Sequence, residues 1–426
     1  MADSGTTGGT AHPALGRQAL AGVRVLGLEQ AAAAPFASHI LADLGAEVIK
    51  IERPGTGDVI RGWDRAVRGL STGYVWLNRA KESVSIDAKS VDGRSILRRL
   101  ALEVDVLLTN LGPGAIERLG LGYDDLVDEN PRLIHCNVSG YGLTGPYRDV
   151  KAYDLLVQGE AGVIAMTGYP DAPAKVAMPI TDIAAGSYAA IAIIAALYQR
   201  ERSGRGQVID VSMFESTFEW LGYFPHHYWH QGEEPERVGM RHHYIVPYGP
   251  YLAADGRYVS LCVASAGDWE KMCRSVLERP DLLDDPRFAD SPARRANRRE
   301  LDGIVEAIVR TRTAADWIAR LKQADLPFGE VRGMADVLSH PQVLARSVVR
   351  EVDSPVGRIP TIESPLRMSD SPISSGGIPD LGGGTERVLL RAGYSVEEIE
   401  AFRAVGAIGT AAGSNPAVSD PEDLSG

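Results

Sequence analysis

VRVLGLEQAAAAPFASHILADLGAEVIKIE, residues 23–52, decides the fold. Residues 23–28 form an apolar run short enough for a buried strand. Residues 35–44 read as a helix, and EVIKIE (47–52) alternates as a second strand. The pattern repeats downstream, with strands at 83–87, 104–109, 133–138 and 207–211 and helices at 92–102 and 183–198. Strand and helix in this order argue an α/β protein with a doubly wound, Rossmann-like, largely parallel sheet.

Working outward, the character changes after about residue 215. Residues 214–243 are dense in aromatics and histidine, and YGPYLAADGRYVSLCVA follows as a hairpin pattern with its turn at Asp255–Gly256. Helical patterns come next at 267–278, 294–311 and 313–324. The chain of 426 residues exceeds a typical single core. The expected division is a large domain over 19–224, a smaller α+β domain over 225–335, and a C-terminal segment, 336–407, with a final helix near 396–403. Residues 1–18 and 408–426, rich in Gly, Ser, Ala and Pro, read as disordered tails.

Composition narrows the function. A net charge of −12 disfavours broad binding to nucleic acid or an anionic membrane, so an anionic ligand needs a local cluster of cations. Three scattered cysteines, Cys136, Cys262 and Cys273, signal neither a disulfide framework nor a zinc site and fit a reducing cytoplasm. The N-terminus lacks the basic start and apolar run of a signal peptide. The apolar stretch 183–198 is Ala-rich and interrupted by Gly186, Ser187 and Tyr188, which favours a buried helix over a membrane span. The first strand leads into GLEQAAAAPF without G-x-G-x-x-G, and no phosphate-loop motif occurs, so neither NAD nor ATP is expected.

Two constellations stand out. His226, His227 and His230, with His242 and His243 nearby, lack a recognised metal-ligand spacing and read as a packed or substrate-facing cluster; no metal is expected. Asp182, in PITDIAAG (179–186), stands at the start of the long apolar helix. It can be an ordinary N-cap. The same position also suits a nucleophile, kept ionised by the helix N-terminus, with Ala184, Ala185 and Gly186 leaving room beside it.

The sequence resembles the family III CoA-transferases, the group containing formyl-CoA transferase, carnitine CoA-transferase and succinyl-CoA:glutarate CoA-transferase. The likeness runs from about residue 20 to 405. It is carried by LADLGAEVIKIERPGTGD (41–58), NRAKESVSID (78–87), LLTNLGPGAIERLGLGYDDL (107–126), SGYGLTGPY (139–147), YDLLVQGEAGVIAMTG (153–168), PITDIAAGSYAAIAIIAALYQRERSGRGQVIDVSM (179–213) and IVPYGPY (245–251). The resemblance implies that Asp182 is the catalytic aspartate. It also implies that coenzyme A is held at Ala32, Ala33, Arg53, Ile86, Lys89, Asn110, Leu111, Arg118 and Lys151. Arg53, Lys89, Arg118 and Lys151 would supply the local cations. The chain departs from the family at Ala33-Ala34-Pro35, where many members have A-G-P, and it has no glycine-run loop between its halves.

The resemblance further implies an interlocked homodimer, CoA thioesters as substrates and no prosthetic group. The expected activity is CoA transfer from an acyl-CoA to a carboxylic acid through an aspartyl-CoA thioester. The alternative is an α-methylacyl-CoA racemase of the same fold, which has histidine at the position of Tyr153. Tyrosine, with a reference pKa of about 10, is a poor base near neutrality. Tyr153, Arg241, His242, His243 and Tyr248 are the expected substrate contacts. Arg241 would offer a guanidinium fork to the second carboxylate of a short dicarboxylic acid, and the histidines and Tyr248 would donate hydrogen bonds.

Overall fold

The computed structural model describes residues 18–374 and 376–409. Most of both expected tails therefore lies outside the described residues. The chain divides into two units. The first comprises the described residues up to Ala161, together with Ala177–Trp220 and those from Ser347 onward; the second comprises Gly162–Val176 and Leu221–Arg346.

In the first unit, strands β1 (Arg24–Leu28), β2 (Glu47–Glu52), β3 (Lys81–Ser85), β4 (Val106–Thr109), β5 (Ile134–Ser139) and β6 (Val208–Ser212) form one sheet. Every pairing is parallel, in the order β3-β2-β1-β4-β5-β6. This is the doubly wound order, and its switch point lies between β1 and β4. Alternation places Val25, Val48, Val106 and Leu108 on one face, with Leu26, Ile49, Val84 and Leu107 on the other. Both faces are covered, which explains the continuous apolar runs.

Helices α1 (Ala33–Asp43) and α2 (Val91–Leu102) follow β1 and β3. Helix α3 (Asp154–Glu160) had no sequence expectation. Helix α4 (Ile180–Ser203) starts three residues before its expected bound, and α5 (Met213–Trp220) follows β6. Helix α4 is long and apolar enough to cross a membrane by length and composition. Its buried stripe, which includes Ala185, Ala189 and Ile193, lies in one core cluster with Ala33, Ala34 and Ala37 of α1.

The C-terminal segment builds the opposite face. Val388, Leu389 and Ile399 pack with Ile96, Leu97 and Leu100. The Ser85 N–H donates to Thr385 Oγ1 at 2.9 Å, and the Gly384 N–H donates to the Ser83 carbonyl at 2.9 Å. Ile408, read from sequence as tail, is buried and bridges to Ile86. Its side chain fills the α2 side of the sheet, so the ordered chain extends past the expected boundary.

In the second unit, α6 (Phe224–Gln231) precedes strands β7 (Tyr248–Leu252) and β8 (Tyr258–Cys262), which pair antiparallel around the expected turn. Gly256 adopts φ +78° there, a backbone conformation that favours glycine. Helices α7 (Arg298–Val309) and α8 (Ala314–Gln323) contribute Leu301, Val305, Trp317 and Leu321 to its core. Strand β9 (Phe328–Glu330) completes the three-stranded sheet. Residues 162–176, expected in the large domain, cluster with this unit instead. Their Gly168–Tyr169 and Ala172–Pro173 hairpin is held by Arg237, which donates to the Ala165, Tyr169 and Pro170 carbonyls.

Candidate active site

Strand ends create a cleft of about 700 Å³ in the first unit. Leu28–Gln30 at the end of β1, Ile51–Pro54 at the end of β2, Ile86–Lys89 after β3 and Leu111 after β4 all line it. It thus opens outside the carboxyl ends of the parallel strands, where such sheets bind ligands. Arg53, Lys89 and Arg118 are exposed at this cleft, so three of the four expected cations share one site. Lys151 is also exposed but does not line it.

The cleft wall also includes Glu29, Glu52 and Asp58, whose side chains are buried and paired. Glu29 Oε1 accepts from Lys81 Nζ at 2.9 Å, Ser38 Oγ at 2.8 Å and Lys50 Nζ at 3.4 Å. Lys50 lies 2.8 Å from Asp58, and Arg61 bonds both oxygens of Glu52. Burial alone would raise the Glu29 carboxyl, but Lys81 and Lys50 outweigh it and hold it below the usual range. Burial lowers Lys81 to about 8. This network escaped the sequence reading because Glu29, Lys50, Asp58 and Lys81 meet only when three strands and a loop converge.

The network shapes the loop that enters α1. Asp58 Oδ1 accepts the Ala31 N–H at 3.0 Å and holds Ala31 at φ +57°. Asn110 exchanges hydrogen bonds with the Gln30 backbone in both directions at 2.8 Å. Its amide therefore braces this loop. Ala32 and Ala33 follow, buried, as the cap and first residue of α1.

Asp182 sits in the first turn of α4, whose cap is Pro179. It is therefore not the N-cap. That work falls to Asp154 on α3, whose Oδ1 accepts both the Thr181 N–H and the Thr181 hydroxyl at 2.9 Å. Asp182 is half-buried, and burial together with the nearby Asp154 charge raises its carboxyl to about 7. Desolvation and a like charge thus oppose the helix dipole that was expected to keep it ionised. Ala184, Ala185 and Gly186 are buried, and a Cβ on Gly186 would stand 2.5 Å from the Ala33 carbonyl of α1, so the small residues serve helix packing there. One helix contact thus links the cleft's entry loop to the turn after Asp182.

The remaining expected contacts are placed as follows. Tyr153 is 73% exposed and immediately precedes α3. Arg241 offers no free fork. Its guanidinium donates to the Pro250 carbonyl and to Glu306, and it stacks 3.8 Å over Tyr251. His242 Nδ1 accepts the Tyr244 and Ile245 N–H groups at 3.1 Å, and its ring stacks on Tyr248 at 5.0 Å. His243 stands edge-on to Phe224, with Nε2 buried. Burial lowers both histidines. His226 and His227 on α6 make ring contacts with Trp229 and Tyr244. Among the described residues no group of three or more His, Cys, Asp or Glu is arranged to hold a metal ion.

A parallel-sheet cleft with a cationic rim, joined through α1 to a half-buried aspartate, agrees with the family that the comparisons define. The chain belongs to CoA-transferase family III, whose model matches residues 20–385, and it is a CoA-transferase. It is 35% identical to the succinyl-CoA:glutarate CoA-transferase of Mus musculus, across 87% of this chain and 86% of that one. It is also 35% identical to the acetyl-CoA:oxalate CoA-transferase of Acetobacter aceti, across 84% and 92%. A CAIB/BAIF family protein from Brucella suis has a similar structure, with TM-score 0.78 and 33% identity, covering 88% of this chain and all of that one.

Proposed function

We propose that the protein moves coenzyme A from a short dicarboxylyl-CoA, such as succinyl-CoA, to a carboxylic acid, with Asp182 as covalent nucleophile. The observation that carries this reading is the position of Asp182, half-buried in the first turn of α4 in a family III chain. Its ionised Oδ attacks the donor thioester carbonyl. The C–S bond breaks, leaving an aspartyl mixed anhydride and CoA thiolate. The thiolate attacks the aspartyl carbonyl, which releases the donor acid and leaves an aspartyl-CoA thioester. The acceptor carboxylate then displaces the thiolate to form a second anhydride. Attack of the thiolate on the acceptor's acyl carbon yields acceptor-CoA and restores Asp182. Thioester free energy is retained, so ATP is not consumed, and splitting one hard step into easier ones is the gain.

The dicarboxylate preference is supported by a mouse relative named succinyl-CoA:glutarate CoA-transferase and an Agrobacterium fabrum relative named succinate–glutarate CoA-transferase. The cleft cations Arg53, Lys89 and Arg118 suit the phosphates of CoA. The protein is further proposed to act in the cytoplasm as a homodimer.

The test is a donor–acceptor matrix with mass detection of CoA products, run on wild type and Asp182→Ala. Transfer from succinyl-CoA to short dicarboxylates is expected, with loss of at least about a thousandfold in the variant. Near-wild-type transfer in Asp182→Ala would remove the nucleophile. Rapid α-proton exchange of a 2-methylacyl-CoA in D₂O without an acceptor acid would favour racemase chemistry instead.

A further inference from the structure

Asp154 has no role in the transfer chemistry just described, yet α4 begins on it. Proline at the cap position of α4 has no side-chain oxygen to offer the first-turn N–H groups. Asp154 supplies one from 27 residues upstream, taking the Thr181 N–H and hydroxyl on Oδ1 while Oδ2 accepts Gln158 Nε2 at 2.8 Å. Thr181 is fully buried and immediately precedes Asp182. The direction in which Asp182 leaves the helix is therefore fixed by a side chain of another helix.

We infer that Asp154 is a positioning residue for the transfer reaction, clamping the first turn of α4 through Thr181 and presenting a negative charge to Asp182. The inference rests on Asp182 being the nucleophile. Other titratable groups on elements packed against α4 are engaged elsewhere or reach solvent. His39 and Asp43 on α1 pair with each other, and Asp43 also pairs with Arg79. His135 on β5 bonds the Leu121 carbonyl, and Asp210 on β6 accepts the Leu143 N–H. Glu160 on α3, and Glu215 and Glu219 on α5, are exposed. Asp154 is the charge that acts on Asp182, and with burial it raises the Asp182 carboxyl. A more basic carboxylate is a stronger nucleophile once ionised, and a poorer leaving group from the mixed anhydride.

The distinguishing variant is Asp154→Asn, which keeps an acceptor for the Thr181 N–H and removes the charge. Protein carrying ¹³C-carboxyl aspartate is titrated by infrared difference spectroscopy, with Asp182→Asn subtracted to isolate the Asp182 band. The band is expected to titrate about one unit lower in Asp154→Asn than in wild type. The acidic limb of kcat/KM for succinyl-CoA and glutarate should move with it. Asp154→Ser, a smaller neutral acceptor, gives the same test if the amide is not tolerated. An unmoved Asp182 titration in a folded neutral variant overturns the inference. Transfer that survives in Asp182→Asn overturns the nucleophile reading instead, so the two failures are distinct.

Discussion

Asp182 is held in a setting that costs the fold something. Burial and the Asp154 charge put its folded pKa near 7, above the range of an unfolded aspartate, about 4. The sign follows from proton uptake. Between those values the folded state binds more protons than the unfolded state, so stability falls as pH rises. The penalty is absent below about pH 4 and complete above about pH 7. Asp182→Asn should therefore raise unfolding stability at pH 8 by on the order of 4 kcal/mol, and have little effect at pH 4. Urea unfolding at both pH values checks this, and equal gains at both would show that charge burial is not the cause. Such a gain, paired with lost transfer, is the trade expected where function needs a destabilised group. Asp182 was legible from its sequence block. Its protonation was not, because the decisive charge comes from another helix.

At the scale of elements, the α1–α4 contact carries the argument. The two helices meet through alanines and Gly186, with the Ala33 carbonyl 2.5 Å from where a Cβ would stand and Phe36 Cβ 2.9 Å away. Since the first obstacle is backbone, the methyl of Gly186→Ala can be accommodated only by displacing α1. A loss of about 1–3 kcal/mol is expected. Gly62→Ala, where a Cβ meets nothing within 4 Å, is the neutral control. Calorimetric unfolding of both variants decides between close packing and mere tolerance of small residues. The same displacement would pull on Ala32 and the loop braced by Asp58 and Asn110, so weaker CoA binding should accompany it. The Ala-rich sequence predicted a buried helix. It did not indicate that smallness serves the backbone of α1.

For the whole molecule, helix α4 has two apolar stripes and the unit covers only one. Ala185, Ala189 and Ile193 are buried, whereas Ile191 is 62% and Tyr198 63% exposed, with Ile194 partly exposed between them. On the opposite side of the sheet, by contrast, the returning C-terminal segment covers the apolar surface with Val388, Leu389 and Ile399. An uncovered apolar stripe of this kind fits the proposed homodimer. Ile191→Glu with Tyr198→Glu should halve the mass seen by light scattering while leaving the helical circular dichroism unchanged. An unchanged mass would remove this stripe from the subunit contact.

Sequence alone determined the alternation of strand and helix, the class of the fold, the cationic residues and the aspartate at 182. Each is a local property, set by side-chain period against a fixed backbone geometry or by a contiguous block of residues. Tertiary structure alone decided which groups are free to act. It committed Arg241 to Pro250, Tyr251 and Glu306, and Asn110 to the Gln30 backbone. It gave the cap of α4 to Asp154. Hydrogen-bond partners and desolvation depend on residues far apart in the chain, and the charge state of Asp182 is set by that company.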